Sequence, residues 1–189
     1  MNILNLTSPI PLSVNHYIKP RPFIKNGKAI VTLYEAVEAK RYKKDFVKYI
    51  REQVLQQKFV HIPNKAQHFY VDCVFYFDRI DKDANNYFKL LLDAITDSQC
   101  VWLDDNTACE RVQAIYYDSK NPRIEITIHP VDYIGVFKNQ EQLDKFEDNC
   151  IRCTRYKERK CSILCRAIEG RIQDEVHDYI CKKHRLKGE

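Results

Sequence analysis

The sequence of 189 residues contains only four glycines, too few for the glycine-rich loops that cradle phosphate groups. Neither GxxxxGK[ST] nor GxGxxG occurs, which argues against a nucleotide-binding P-loop and against a Rossmann fold. No apolar run approaches the roughly 18 residues that a membrane-spanning helix needs. The N-terminus has no basic stretch followed by an apolar segment, so we expect no secretion signal, no membrane association and a cytoplasmic location.

The composition is that of a folded globular protein, with 44% apolar and 30% charged residues. The net charge of +5 is mildly basic, and it permits nucleic-acid binding without requiring it. The chain has eight cysteines. In a reducing cytoplasm, clustered cysteines are more often metal ligands than disulfides.

Hydrophobic patterning predicts an α/β (α+β) fold, in which a small mixed sheet packs against helices. Strands are predicted at residues 2–7, 28–33, 69–77, 109–117 and 123–129, and residues 13–17 are expected to lead into a further extended segment that contains Lys19 and Arg21. Helices are predicted at about 35–57, 83–96, 139–148 and 162–183. A change of composition at Pro130 divides the chain into a domain of residues 1–130 and a cysteine-rich helical module of residues 131–189.

Acidic and amide side chains crowd the start of the second long helix. Asp83 and Asn85 precede Lys89 on this helix, and Asp104-Asp105 follow after a loop anchored by Trp102. Carboxylates can hold Mg²⁺, the cation can activate water, and a lysine can neutralise charge on a phosphate. The constellation therefore predicts a magnesium-dependent enzyme that cuts a phosphodiester.

A simpler interpretation is also open for these residues. Asp83 could cap the helix through backbone N–H groups, and Asn85, Lys89 and Asp93 could form an ordinary solvated face. Catalysis is favoured because the acidic group directly follows a strongly apolar strand, which would position it rigidly.

At these residues the chain resembles the RusA-type Holliday-junction resolvases. Their motif is Asp-x-Asp-Asn-x-x-Lys, then a further Asp, then Trp-Leu-Asp-Asp. The corresponding segments here are Asp83-Ala-Asn85-Asn86-Tyr-Phe-Lys89, Asp93, Trp102-Leu-Asp104-Asp105 and, near the N-terminus, Pro11-Leu-Ser13-Val-Asn15. The resemblance covers roughly residues 1–129, and it implies a RusA-like fold.

The resemblance further implies a homodimer that binds four-way DNA junctions and nicks two strands with a Mg²⁺ cofactor. It assigns metal-binding carboxylates to Asp83 and Asp105 and the essential lysine to Lys89. The chain departs from the family at Asn85, where the pattern has a second Asp. We interpret Asp83, Asn85 and Asp105 as the Mg²⁺ ligands, with Asp81 and Asp104 near enough in sequence to compensate for the missing charge.

The leading hypothesis is a structure-specific endonuclease that resolves Holliday junctions in recombination or repair, with Asp83, Asn85, Lys89 and Asp105 as its catalytic residues. One alternative is a protein that binds branched DNA without cleaving it, because an amide cannot serve as a base. Another alternative is a transcriptional regulator that uses the cysteine-rich tail, although no helix-turn-helix signal supports it.

Basic residues near the acidic site are needed for contact with DNA phosphates. Arg79 and Lys82 flank the motif directly and are the best candidates, while Asn15 lies in the family-like N-terminal segment. Each could equally be a solvent-facing polar residue. A homodimer would present two such sites, which suits a two-fold symmetric four-way junction.

The cysteines of residues 131–189 have metal-ligand spacing. Cys150, Cys153, Cys161 and Cys165 are predicted to form a closed, structural Zn²⁺ site, with Cys181 and His184 in reserve if Cys165 is not used. The alternative is a set of buried free thiols. An iron–sulfur cluster fits the same residues less well, because nothing else in the sequence indicates redox chemistry.

Overall fold

The structure is a computed structural model, and it describes residues 2–62, 67–158 and 161–187. The chain divides into two compact units, Met1–Pro130 and Val131–Glu189, called here the N-terminal and C-terminal units. In the part of the chain that is described, no helix is both long enough and apolar enough to cross a membrane.

A four-stranded mixed sheet forms the centre of the N-terminal unit. Its strands, in spatial order, are β1 (Leu4–Pro9), β6 (Arg123–Pro130), β4 (Phe69–Phe77) and β5 (Ala108–Tyr117). β6 runs antiparallel to both of its neighbours, whereas β4 and β5 are parallel and Phe69 lies opposite Ala108. The predicted α+β class with a small mixed sheet is therefore confirmed.

Alternation in β4 decides which face of the sheet is buried. Every second residue from Phe69 to Phe77 is buried, and the residues between them are half-buried. Two helices, α2 (Val37–Gln56) and α3 (Asn85–Ser98), cover the buried face and share one apolar core with it. Because α3 connects the parallel strands β4 and β5, its ends are fixed by the sheet.

The segment before α2 begins with a short helical turn, α1 (Val14–Tyr17). The sequence predicted that residues 13–17 lead into an extended segment, and the chain is extended directly after Tyr17. A hairpin of β2 (Ile18–Lys25) and β3 (Lys28–Glu35) follows. Its turn places Asn26 at φ 52° and Gly27 at φ 73°, and Asn-Gly is the pair that tolerates this backbone best.

The C-terminal unit contains less helix than expected. It has helices α4 (Gln140–Ile151) and α5 (Ser162–Ile168), then a small hairpin of β7 (Val176–His177) and β8 (Ile180–Cys181). The predicted helix over 162–183 is wrong beyond Ile168. Gly170 adopts φ 80°, which ends the helix, and Asp178 and Tyr179 take positive φ in the hairpin turn.

Trp102 anchors the loop between α3 and β5. The side chain is 2% exposed and its ring lies 5.7 Å from that of Phe69. Its Nε1 donates to Thr96 Oγ1 at 2.8 Å, so the indole fills the core without leaving a buried donor unpaired. The loop that leads to Asp104 and Asp105 is thereby fixed to the C-terminal end of α3.

We predict that Trp102→Ala lowers the free energy of unfolding by about 3–5 kcal/mol, because it empties a large buried volume. Urea unfolding followed by circular dichroism measures this loss. The matched control is Leu103→Ala, because Leu103 is 47% exposed and its truncation should cost far less. Equal losses in the two variants would contradict this role of Trp102.

Candidate active site

The start of α3 is built around Asp83. Asp83 Oδ1 accepts the backbone N–H of Asn85 at 3.0 Å, and the Asp83 carbonyl accepts that of Asn86 at 3.2 Å. Local carboxylate contacts of this kind help to begin a helix, and the helix dipole favours a negative charge at this end. Asp83 and Asn85 are both exposed, so their remaining oxygens face solvent.

Lys89 joins the two halves of the acidic motif. Its Nζ donates to Asp93 Oδ1 at 2.8 Å and to Asp105 Oδ2 at 3.2 Å. Lys89 and Asp105 are 16 positions apart in the sequence, and the fold brings them into direct contact. The bond to Asp93 raises the pKa of Lys89, and the bond to Asp105 adds to this rise against the opposing effect of burial.

Tyr17 connects the N-terminal segment to the same site. Its hydroxyl donates to Asp93 Oδ2 at 2.6 Å, so Asp93 receives bonds from both Tyr17 and Lys89. Burial, followed by the bond to Asp93, holds the pKa of the Tyr17 hydroxyl above its ordinary value. Tyr17 therefore remains a donor, and it fixes one carboxylate oxygen on α3.

Glu110 is an acidic neighbour that sequence reasoning missed. It lies on β5 opposite Val71, exposed to solvent and near Asp105 and Lys89. Desolvation and then the charge of Asp105 raise the pKa of Glu110, while the charge of Lys89 lowers it. The signal in the sequence is weak, because a single Glu in a strand is a common surface feature.

The two neighbouring carboxylates expected to compensate for Asn85 have other partners. Asp104 Oδ1 accepts the Asn106 N–H at 3.0 Å, which caps a short 3-10 helix at Asp105–Thr107. Asp81 forms an ion pair with Arg79 at 2.8 Å. Asp104 thus sets the direction of the chain, and Asp105 is the member of the pair that reaches Lys89.

The residues predicted to contact DNA lie at the surface or are paired with acids. Arg79 bonds to Asp81, and Lys82 bonds to Asp78. Asn15 is exposed on α1, next to the Tyr17 that contacts α3. Exposed ion pairs of this kind contribute at most about 1 kcal/mol, so a phosphate can replace the carboxylate partner.

The donor atoms of the site are of the type that Mg²⁺ prefers. Asp105 and Glu110 offer carboxylate oxygens near Lys89, and Asp83 and Asn85 offer a carboxylate and an amide oxygen at the start of α3. Over the described ranges, no three His, Cys, Asp or Glu side chains are arranged so that they could hold a metal ion. The positive charge beside Asp105 is the Lys89 ammonium group. The oxygen atoms around it are nevertheless of the kind that bind a divalent ion.

Acidic side chains beside a lysine, carried on a β–α–β unit, are the type of site that endonucleases use. Residues 13–129 match the family described as endodeoxyribonuclease RusA, and the chain belongs to this family. Members of this family are nucleases that bind branched DNA junctions and resolve Holliday junctions, generally with divalent metal ions. The family predicted from the motif is therefore confirmed.

A curated relative carries a different description. A protein of Methanosphaera stadtmanae described as a probable thymidylate kinase is 24% identical over 175 residues. The similarity covers 86% of this chain and 87% of that protein.

Three of the four predicted zinc ligands lie around one cavity. Cys150, Cys153 and Cys161 line one small cavity of the C-terminal unit together with Cys181. Cys165 lies half-buried on α5 and does not line that cavity, although its backbone N–H bonds to the Cys161 carbonyl at 2.9 Å.

The charges around Glu110 predict the direction in which two mutations should shift its pKa. Asp105→Asn removes a negative charge, so the pKa of Glu110 should fall towards its ordinary value. Lys89→Met removes a positive charge, so the same pKa should rise. Carboxyl-carbon NMR titration measures both shifts, and Asp45→Asn on the exposed face of α2 is the control that should leave Glu110 unchanged. Identical titrations in all three variants would contradict the proposed cluster.

Proposed function

We propose that this protein is a Mg²⁺-dependent endonuclease that nicks four-way DNA junctions during recombination or repair in the cytoplasm. The observation that carries the proposal is the Lys89 ammonium held between Asp93 and Asp105, in a chain of the RusA family. A polar site with a lysine and several carboxylates suits an anionic phosphodiester once a cation offsets the negative charge of the carboxylates.

Each side chain has a defined part in this proposal. Asp83, Asn85 and Asp105 would hold the Mg²⁺, with Glu110 adding negative charge nearby. The ion, when bound, polarises the phosphoryl oxygen and lowers the pKa of its water. Lys89 would donate to a phosphate oxygen and stabilise the charge that develops in the transition state. Tyr17 holds one oxygen of Asp93 through its hydroxyl.

The DNA surface is proposed to extend outward from this site. Arg79 and Lys82 precede α3, and Asn15 lies on the turn whose Tyr17 bonds to α3. A homodimer would carry two such surfaces related by two-fold symmetry, as a four-way junction requires. We also propose that residues 131–189 form a separate module that binds zinc.

A second candidate is a protein that binds branched DNA without cutting it. Asn85 favours this candidate, because the amide brings no negative charge and cannot accept a proton. Neither Asp81 nor Asp104 is well placed to substitute, since Asp81 is paired with Arg79 and Asp104 caps a turn.

The description of the methanogen relative does not lead to a proposal. A kinase that binds nucleotide phosphates through a P-loop needs the GxxxxGK[ST] motif. The four glycines of this chain form no such motif.

The proposed chemistry predicts a metal-dependent loss of activity on mutation. Asp83→Asn and Asp105→Asn should each slow the Mg²⁺-dependent nicking of a synthetic four-way junction by at least about 100-fold, because each removes a charged ligand. Denaturing gels of end-labelled junction strands measure the rate. Asp45→Asn, an exposed carboxylate on α2, is the matched control and should cut at the normal rate.

Asn85→Asp separates the two candidates. If the amide limits cleavage, this variant should nick faster than the natural protein, while junction binding stays similar. A natural protein that binds junctions but never nicks them would favour the non-cleaving candidate. Normal cutting by Asp83→Asn would overturn the proposed metal site.

A further inference from the structure

Four cysteines of the C-terminal unit converge from distant parts of the chain. Cys150 lies near the end of α4, Cys153 follows in a turn closed by its N–H bond to the Cys150 carbonyl at 2.8 Å, and Cys161 precedes α5. Cys181 ends the small hairpin strand β8. All four line one cavity of about 10 Å³, which is about the space of one water molecule.

The cavity is closed rather than open to substrate. Cys150 and Cys153 are buried, Cys161 and Cys181 are half-buried, and all four are free of disulfides. The surrounding lining includes apolar side chains such as Phe146 and Leu164.

The end of the chain is already tied to the turn that holds two of these cysteines. Thr154 N–H donates to the Arg185 carbonyl at 2.8 Å, and Lys187 N–H donates to the Arg152 carbonyl at 3.0 Å. Arg185 N–H also donates to Cys153 Sγ at 3.4 Å. A backbone donor aimed at a sulfur stabilises the thiolate form, and it is the type of outer contact that orients a metal ligand.

The size of the unit explains why such a site would be useful. Among the described residues, its main apolar cluster contains the buried side chains of Phe137, Leu143, Phe146, Cys150, Leu164 and Ala167. An apolar core of this extent supplies little free energy to a unit of fewer than about 70 residues. Small units of this kind are commonly stabilised by a structural metal.

We propose that Cys150, Cys153, Cys161 and Cys181 bind one Zn²⁺ as four thiolates, and that Cys165 is not a ligand. This deepens the proposed zinc module by fixing its ligands, and it does not depend on nuclease activity. On binding, each Sγ–H loses its proton to solvent as one Zn–S bond forms, so four thiols release four protons and no redox change occurs. The described side chains do not form a metal-binding group, so binding would require the cysteines to change their χ1 rotamers.

His184 is the other donor at this cavity. Its Nε2 lies 2.9 Å from the Asn149 carbonyl, and its backbone N–H donates to the Cys181 carbonyl at 3.1 Å. These contacts give His184 a role in holding the segment that carries Cys181. With four thiols available, the zinc coordination is complete without the imidazole.

The test is the metal content of the full-length protein, produced with zinc and measured by plasma mass spectrometry. The natural protein should hold about one Zn²⁺ per chain, and Cys181→Ser should lose most of it. Cys165→Ser is the matched control and should keep it, as should His184→Gln. Retention by Cys181→Ser with loss in Cys165→Ser or His184→Gln would overturn the assignment.

Cobalt substitution keeps the proposal testable if Cys181→Ser fails to fold. Co²⁺ bound to the natural protein and to Cys165→Ser should give the same strong thiolate-to-cobalt charge-transfer bands, since both proteins retain all four ligands. Weaker bands in Cys165→Ser, or no Co²⁺ or Zn²⁺ binding by the natural protein, would overturn it. Asp83→Asn should bind zinc normally, so failure of the nuclease proposal and failure of this one are distinguishable.

Discussion

The ion pairs of Lys89 with Asp93 and Asp105 are the interaction on which the proposed site depends. The single ammonium group of Lys89 bonds to Asp93 on α3 and to Asp105 in the segment before β5, and it offsets part of their combined negative charge. If Lys89 turned away, these carboxylates, with Glu110 close by, would repel one another in a partly desolvated place. The same concentration of negative charge would attract a divalent cation. We propose that the site exchanges the ammonium for a divalent cation while its framework stays the same.

Apolar packing, and not the ion pairs, holds this framework in position. The side chains of Lys89, Asp93 and Asp105 are 55%, 19% and 30% exposed, and pairs at such positions contribute at most about 1 kcal/mol each. Burial of a single large apolar side chain contributes about 1.5–3 kcal/mol, and α3 buries several of them against the sheet. The apolar side of α3 thus fixes where its polar side points. The charged residues instead affect the affinity of the site for a cation and the pKa values of neighbouring groups.

Much of this arrangement could be predicted from the sequence, because local patterning determined it. The apolar composition of residues 69–77 and the helical spacing of Tyr87, Leu91 and Ile95 predicted the two elements that carry the site. Glu110 could not be predicted in the same way, since its closeness to Lys89 depends on how the fold places the start of β5 beside α3.

The sequence was also insufficient where backbone conformation or distant contacts decide the structure. Apolar spacing after Ser162 suggested a long helix, but Gly170 and the positive-φ turn at Asp178 and Tyr179 end it early and form a hairpin. That hairpin brings Cys181 to the cavity lined by Cys150. Sequence spacing favoured Cys165 as the fourth zinc ligand, because it lies one helical turn after Cys161. Sequence spacing does not show where a chain folds back on itself.

Anomalous diffraction from crystals soaked in Mn²⁺ tests most directly whether a divalent ion takes the place of the Lys89 ammonium. The result expected is a manganese peak coordinated by the Asp105 carboxylate, with Lys89 Nζ no longer bonded to that residue. A peak remote from Asp105, with Lys89 still bridging Asp93 and Asp105, would contradict the proposed exchange of cations.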